Sequence, residues 1–409
     1  MTTRRALAAL IVPVAALVGC NSSDSGLEGP PHSGIEAGYP DSSSADAAAD
    51  GTSAFLSPLP AVADPGPGGF LITTSGEKLA LSGYPFTPGA SQAADPALVD
   101  GWEIKFDAVI VTLDHITLSE SPNTSPTDQS ITGKQVAHLE GPFAVDLHKG
   151  GPLPGKGGEG ERAVAIGAIA SQNDNGGSSF DPELPYALGF DSVVASPKAW
   201  NVNLDAQGLV DYQDAIANGW STMLIGTATY KGPEPAADSE FSKLPTTVHF
   251  RFGFPIPTSY VNCQNPENGT GFTNEEYGRG VRSKANASTI VQLTVHTDHL
   301  FWEKLSHEQP MHFDQIACAY VGIEAPIATL PDMDSLDFSG FYCKDGHPLP
   351  PRSLVSDYAP VAGQILYFDP NGVSGLPKYK DYLMYSVSTQ GHLNSDGLCA
   401  VRRHYPSPP

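Results

Sequence analysis

From residue 70 onward, apolar and polar residues alternate in short runs broken by Gly, Asn, Asp and Pro, which is the two-residue period of half-buried strands. Phe70 and Ile72, then Leu79 and Leu81, flank Thr74-Ser75-Gly76-Glu77, and this predicts a hairpin. Trp102, Ile104 and Phe106 alternate in one phase and Val109, Val111 and Leu113 in the other. The change of phase at Asp107-Ala108 predicts a β-bulge. Further strands are predicted over 164–169, 192–195, 222–230, 246–254, 289–295, 361–368 and 382–388. Many short strands with few helices predict a mainly β fold, an antiparallel β-sandwich. The length leaves room for two β-subdomains, 70–235 and 243–409, with a soft boundary between them.

One region departs from this texture. After the strand at 289–295, Thr297 or Asp298 is placed to cap a helix running to Glu308, which Pro310 stops. Phe313, Ile316, Ala317 and Tyr320 then recur at helical spacing and predict a second helix ending at Gly322. A short helix-turn-helix insertion near 298–321 is expected.

The same corner holds the densest chemistry. His296, Asp298, His299, Glu303, His307, His312 and Asp314 bring four of the 12 histidines together with carboxylates, a donor set suited to a transition metal such as zinc or copper. On a helix His299 and His307 would lie about 12 Å apart, so they cannot share one ion. Two sets are then feasible: Glu303 or His307 with His312 and Asp314, or His296 with Asp298 and His299. The opposing expectation is a structural polar corner in which these groups cap helices and pair with one another. Asn173-Asp174-Asn175-Gly176 and Asp332-Met333-Asp334 offer oxygen ligands but lack EF-hand spacing, and read as Asx-rich turns. No hydrolase or phosphate-binding motif stands out.

The amino terminus assigns a compartment. Arg4 and Arg5 precede an apolar run from Ala6 to Val18 that is too short to span a bilayer and has the layout of an export signal. The run ends in Leu17-Val18-Gly19-Cys20, which resembles the lipobox of bacterial lipoproteins. That resemblance implies cleavage before Cys20, acylation of its thiol, and anchoring in a membrane through the lipid. Asn21 after the Cys implies the outer membrane. Residues 20–69 are rich in Ser, Ala, Gly, Pro and Asp, carry no Lys or Arg, and are expected to form a disordered tether.

Composition narrows the partners. The 22 basic and 45 acidic residues leave a net charge of −23, which excludes a nucleic-acid footprint. Cys263, Cys318, Cys343 and Cys399 remain after Cys20, and four thiols in an exported chain predict two disulfides with three possible pairings.

Ser75-Gly76-Glu77-Lys78-Leu79-Ala80, Asp100-Gly101-Trp102-Glu103-Ile104-Lys105-Phe106-Asp107, Thr294 to Phe301 and His312-Phe313-Asp314 together resemble a group of large uncharacterised bacterial lipoproteins. Ile116-Thr117-Leu118, Ala144-Val145-Asp146-Leu147 and Tyr186-Ala187-Leu188-Gly189-Phe190 are similar to secreted β-sandwich domains. These features lead to an expected lipid-anchored binding or structural module of the cell envelope with a transition-metal site. The alternatives are a metal-dependent hydrolase using the 296–314 cluster, and a surface adhesin or carbohydrate-binding module.

Overall fold

The computed structural model describes residues 55–86, 98–305, 310–336, 342–350, 352–355 and 375–405. The lipidation residue Cys20, the signal, most of the tether, the strand expected over 361–368, and His307 lie outside the described residues.

The fold is mainly β, built on two sheets. One sheet has strand order Gly397–Leu398, Gly391–Leu393, Thr289–Val295, Phe70–Ser75, Arg162–Ile169, Leu153–Pro154. The larger sheet centres on the long strand Trp102–Ser119, which pairs along one edge with Thr222–Tyr230 and then Ala187–Ser192, and along the other with Phe143–Asp146 and Gln135–Leu139. One contiguous core takes apolar side chains from both sheets, including Phe70, Ile72, Val291 and Leu293 from the first and Trp102, Ile104, Phe250 and Phe252 from the second.

The register of Trp102–Ser119 shifts between Phe106 and Ala108, where the change of hydrophobic phase predicts the bulge. Thr222–Tyr230, Thr247–Phe254 and Thr289–Val295 form as the alternation predicts.

Several expectations are corrected. The sheets are mixed rather than purely antiparallel, because Phe70–Ser75 runs parallel to Thr289–Val295. The chain after Ser75 does not return as a hairpin strand but forms the helix Glu77–Ser82, whose Lys, Leu and Ala favour that state and which buries Ala80. The strand expected over 382–388 is instead helix, within Tyr379–Val387 and its C-cap Ser388: Tyr382, Leu383, Ser386 and Val387 lie on one buried face, which a strand could not present. Ala206–Asn218 is a helix that the alternation scan passes over, although Asp205 caps its start and Gly219, at φ 67°, ends it.

The boundary near 236–242 separates no sheets. Residues Thr52–Pro409 form one unit, and strands on either side of that loop pair with one another, as Phe70–Ser75 does with Thr289–Val295 and Thr222–Tyr230 with Thr247–Phe254. Ordered structure also begins before residue 70. Leu56 is buried and the Leu59 amide donates to the Asn201 carbonyl at 2.7 Å, so the Pro-rich end of the expected tether docks as extended chain.

Cys263 pairs with Cys399 and Cys318 with Cys343, which settles the three open pairings. In the chain-entropy account, closing separations of 136 and 25 residues adds about 5 and about 3.5 kcal/mol. Two disulfides fit an oxidising, exported environment. No helix among the described residues is long and apolar enough to cross a membrane.

Candidate metal centre

The parallel pairing of Phe70–Ser75 with Thr289–Val295 sets Ser75 against Thr294, so both chains leave the sheet at the same end. Two residues further along, one chain places Glu77 and the other His296. On the far side Val295 faces Gly391 and Thr294 faces His392, which brings in the turn Asn394-Ser395-Asp396. The Ser395 amide donates to Thr294 Oγ1 at 2.9 Å, and the Asn394 amide to the Gln292 carbonyl at 2.8 Å, locking that turn onto the strand. Three distant segments therefore meet at one sheet end.

His296 is 5 % exposed. Its Nε2 donates to the Ser395 carbonyl at 3.0 Å, so in the neutral ring the lone pair is on Nδ1. Nδ1 lies 3.5 Å from Glu77 Oε2 and 3.8 Å from Asp298 Oδ1. Trp302 Nε1 donates to Asp298 Oδ2 at 3.0 Å, whereas Oδ1 is buried without a hydrogen-bond partner. A lone pair facing two carboxylates is repulsive unless a proton or a cation lies between them.

The neighbouring ring is oriented in the same way. Thr389 donates its hydroxyl proton to the Ser386 carbonyl at 2.7 Å, so the 2.7 Å contact between His299 Nδ1 and Thr389 Oγ1 requires Nδ1 to be the donor, with the lone pair on Nε2. Trp302 packs against His299 at a centroid distance of 3.7 Å, with the two rings tilted by 32°. His392 lies 4.1 Å from His296 and 5.4 Å from His299, centroid to centroid.

Two groups have ligand atoms mutually within 4.8 Å: His296 with Asp298 and His299, and Glu77 with His296 and Asp396. A tetrahedral ion with bonds of about 2.1 Å separates its ligand atoms by about 3.4 Å, close to the two distances found around Nδ1. Both imidazoles are fixed through their other nitrogen, as metal-bound histidines usually are. The structure thus contains His, Asp and Glu groups that could hold a metal.

The electrostatics agree. Burial pushes Glu77 up to about 7, with Asp298 and Asp396 adding to the rise and His296 opposing it. Burial also works against a charged His296, but Glu77 and Asp298 outweigh it and hold the ring above its ordinary value. This corner calls for positive charge.

Of the remaining predicted ligands, Glu303, His312 and Asp314 lie in a different cluster, and His307 is outside the described residues. Among the described residues, the helix expected from 298 to 308 is reduced to a single 3-10 turn at Asp298–Leu300, after which Trp302 bridges back to Met311. His299 and Glu303 consequently share no helix face. Glu303 Oε2 instead meets His312 Nε2 at 2.9 Å, with the Asp100 carboxylate 3.8 Å from the other ring nitrogen. Asp314 is held by Arg352 through two hydrogen bonds of 2.7 and 2.6 Å and by Trp102 Nε1 at 2.8 Å. Its carboxylate is committed to that fork, so Glu303, His312 and Asp314 do not make the ligand set expected for a hydrolase. The second helix does form, at Asp314–Cys318, with Phe313, Ile316, Ala317 and Tyr320 all buried.

Of the two oxygen-rich segments, 173–176 is a turn and Asp332-Met333-Asp334 lies in the 3-10 helix Leu330–Ser335. Asp174 pairs with His138, and Asp332 accepts from Thr329 and Tyr320.

Asp100 carries a testable consequence. It is fully buried and accepts from the Phe313 and Asp314 amides at 2.7 and 2.8 Å. Burial and the adjacent Asp314 push its carboxyl from 3.8 to about 7, against the pull of His312 and Arg352. Between those values the folded state binds more proton than the unfolded chain, so this contribution is complete below about pH 4 and lost as pH rises through 7. Asp100→Asn keeps an acceptor for both amides and removes the titration. The variant is expected to gain on the wild type from about pH 4 to about pH 7 and to gain no more above it, with a limiting slope of about 1.4 kcal/mol per pH unit, in denaturant unfolding. Parallel curves would refute the assignment.

Compared with models of protein families, characterised protein sequences and solved structures, the chain has no match. The site itself must carry the functional argument.

Glu77, Asp396 and His392 complete the corner and escape sequence reading, being separated from His296 by long stretches of chain. Glu77 falls inside the segment that reads as a hairpin turn, and no one-dimensional signal links it to the histidines.

Proposed function

We propose that this is an exported, lipid-anchored binding protein of the bacterial cell envelope whose functional centre is a divalent transition-metal site at the end of the smaller sheet. The lipobox resemblance at Leu17-Val18-Gly19-Cys20 supports the anchor and the outer membrane, and the two disulfides support an oxidising compartment. The observation that carries the metal reading is His296, whose Nε2 is fixed on the Ser395 carbonyl while Nδ1 faces carboxylates of Glu77 and Asp298 at 3.5 and 3.8 Å. Two imidazole nitrogens with carboxylate oxygens in near-tetrahedral spacing favour zinc over calcium or magnesium, which take oxygen ligands in larger shells.

The test is elemental mass spectrometry on the untagged full-length protein purified from an oxidising compartment and equilibrated with zinc, beside His296→Ala/His299→Ala. Near-stoichiometric zinc that disappears in the variant is the expected result. Zinc-free wild type would end the metal reading and leave a structural polar corner.

A further inference from the structure

The two ligand groups share His296 but differ in chemistry and in backbone. His296, Asp298 and His299 come from one continuous corner and offer two nitrogens, and His299 is 2 % exposed. Glu77 and Asp396 come from two other segments, offer hard oxygens, and are both partly open to solvent. Those segments also hold unusual backbone. Glu77 has φ 63°, and Asn394 and Ser395, just before Asp396, have φ 51° and 82°. Three of the eight non-glycine residues with positive φ among the described residues therefore cluster at this corner. Such conformations cost on the order of 1 kcal/mol each and persist where the surrounding structure holds them in place.

Resting on the metal reading above, we propose that the corner is a two-position site. Glu77 and Asp396, with His296, capture a divalent transition metal from solvent, and Asp298 with His299 take it over and hold it. Carboxylates suit the first task because they attract a hydrated cation and exchange ligands readily, in a protein of net charge −23. Imidazoles suit the second, since borderline ions bind nitrogen more firmly than water does. His296 belongs to both groups, so transfer does not require the ion to leave the protein.

The division of labour separates the two rate constants. Zinc binding to the full-length protein is followed by stopped-flow tryptophan fluorescence, Trp302 being packed against His299. Glu77→Gln/Asp396→Asn keeps shape and removes charge. It is expected to slow association about tenfold and leave dissociation little changed. His299→Ala is expected to speed dissociation at least about tenfold while association stays near the wild-type value. The single variant Asp396→Asn carries the association test if the double variant melts early. Unchanged association in the carboxamide variants, or dissociation accelerated as much as in His299→Ala, would overturn the two-position site even where zinc binds. Wild type that takes up no zinc would instead remove the metal reading on which it rests.

Discussion

Replacing Arg352 with Ala should destabilise the protein by about 3–5 kcal/mol, the range for removing one partner of a buried ion pair. The guanidinium grips both oxygens of Asp314, which has no exposed surface, and Asp100 lies beside that carboxylate. Without the cation two buried carboxyl groups face each other, with Trp102 and two backbone amides as their hydrogen-bond donors among the described residues. The rings of Tyr230 and Phe241 also lie against the guanidinium carbon, at 4.7 and 4.2 Å, and lose that contact. Arg352→Lys keeps the charge but not the fork, and should fall between the two. Urea unfolding with the disulfides intact measures this. A loss below about 1 kcal/mol for Arg352→Ala would place the pair among weak surface bridges and refute the argument.

The second large effect is ligand-linked. At zinc a hundredfold above its dissociation constant, the wild type should gain about 2.7 kcal/mol of unfolding free energy, because a ligand that binds only the folded state stabilises it by mass action. His296→Ala should show no gain, since both groups depend on that ring. The two contributions are separable: zinc should stabilise Arg352→Ala as much as the wild type, because the Arg352 fork involves none of the ligand residues. Equal stabilisation of wild type and His296→Ala would mean that zinc binds elsewhere.

Much of the β architecture was legible because alternation is a local consequence of one buried face. The bulge after Phe106 is visible in the sequence since an inserted residue must flip the phase of every apolar position beyond it. The helix Tyr379–Val387 was misread because a short apolar run containing tyrosines satisfies both periods, and only packing chooses between them. The 298–308 segment failed differently. A plausible cap and a stop at Pro310 suggest a helix, but Trp302 pairs with Met311 and buries against the core as an extended corner.

For the site, sequence proximity found half of the answer. His296, Asp298 and His299 are neighbours in the chain and remain so in space, whereas Glu303, His312 and Asp314, only slightly further along, are turned into a separate ion-pair cluster.

The mainly β class, the positions of the longer central strands, the supply of four thiols for two bridges, the excess of acidic charge and the group of histidines at one corner follow from the sequence alone. Each is a property of composition or of a short window, and survives any arrangement that buries the same faces. Only the tertiary structure decided the disulfide pairing, the parallel neighbour of Thr289–Val295, and hence which carboxylates face His296. Strand pairing across 219 residues sets Ser75 against Thr294, and a register shift of one residue would send Glu77 to the other face. Such partners are chosen by the fit of the whole core, which no local pattern encodes.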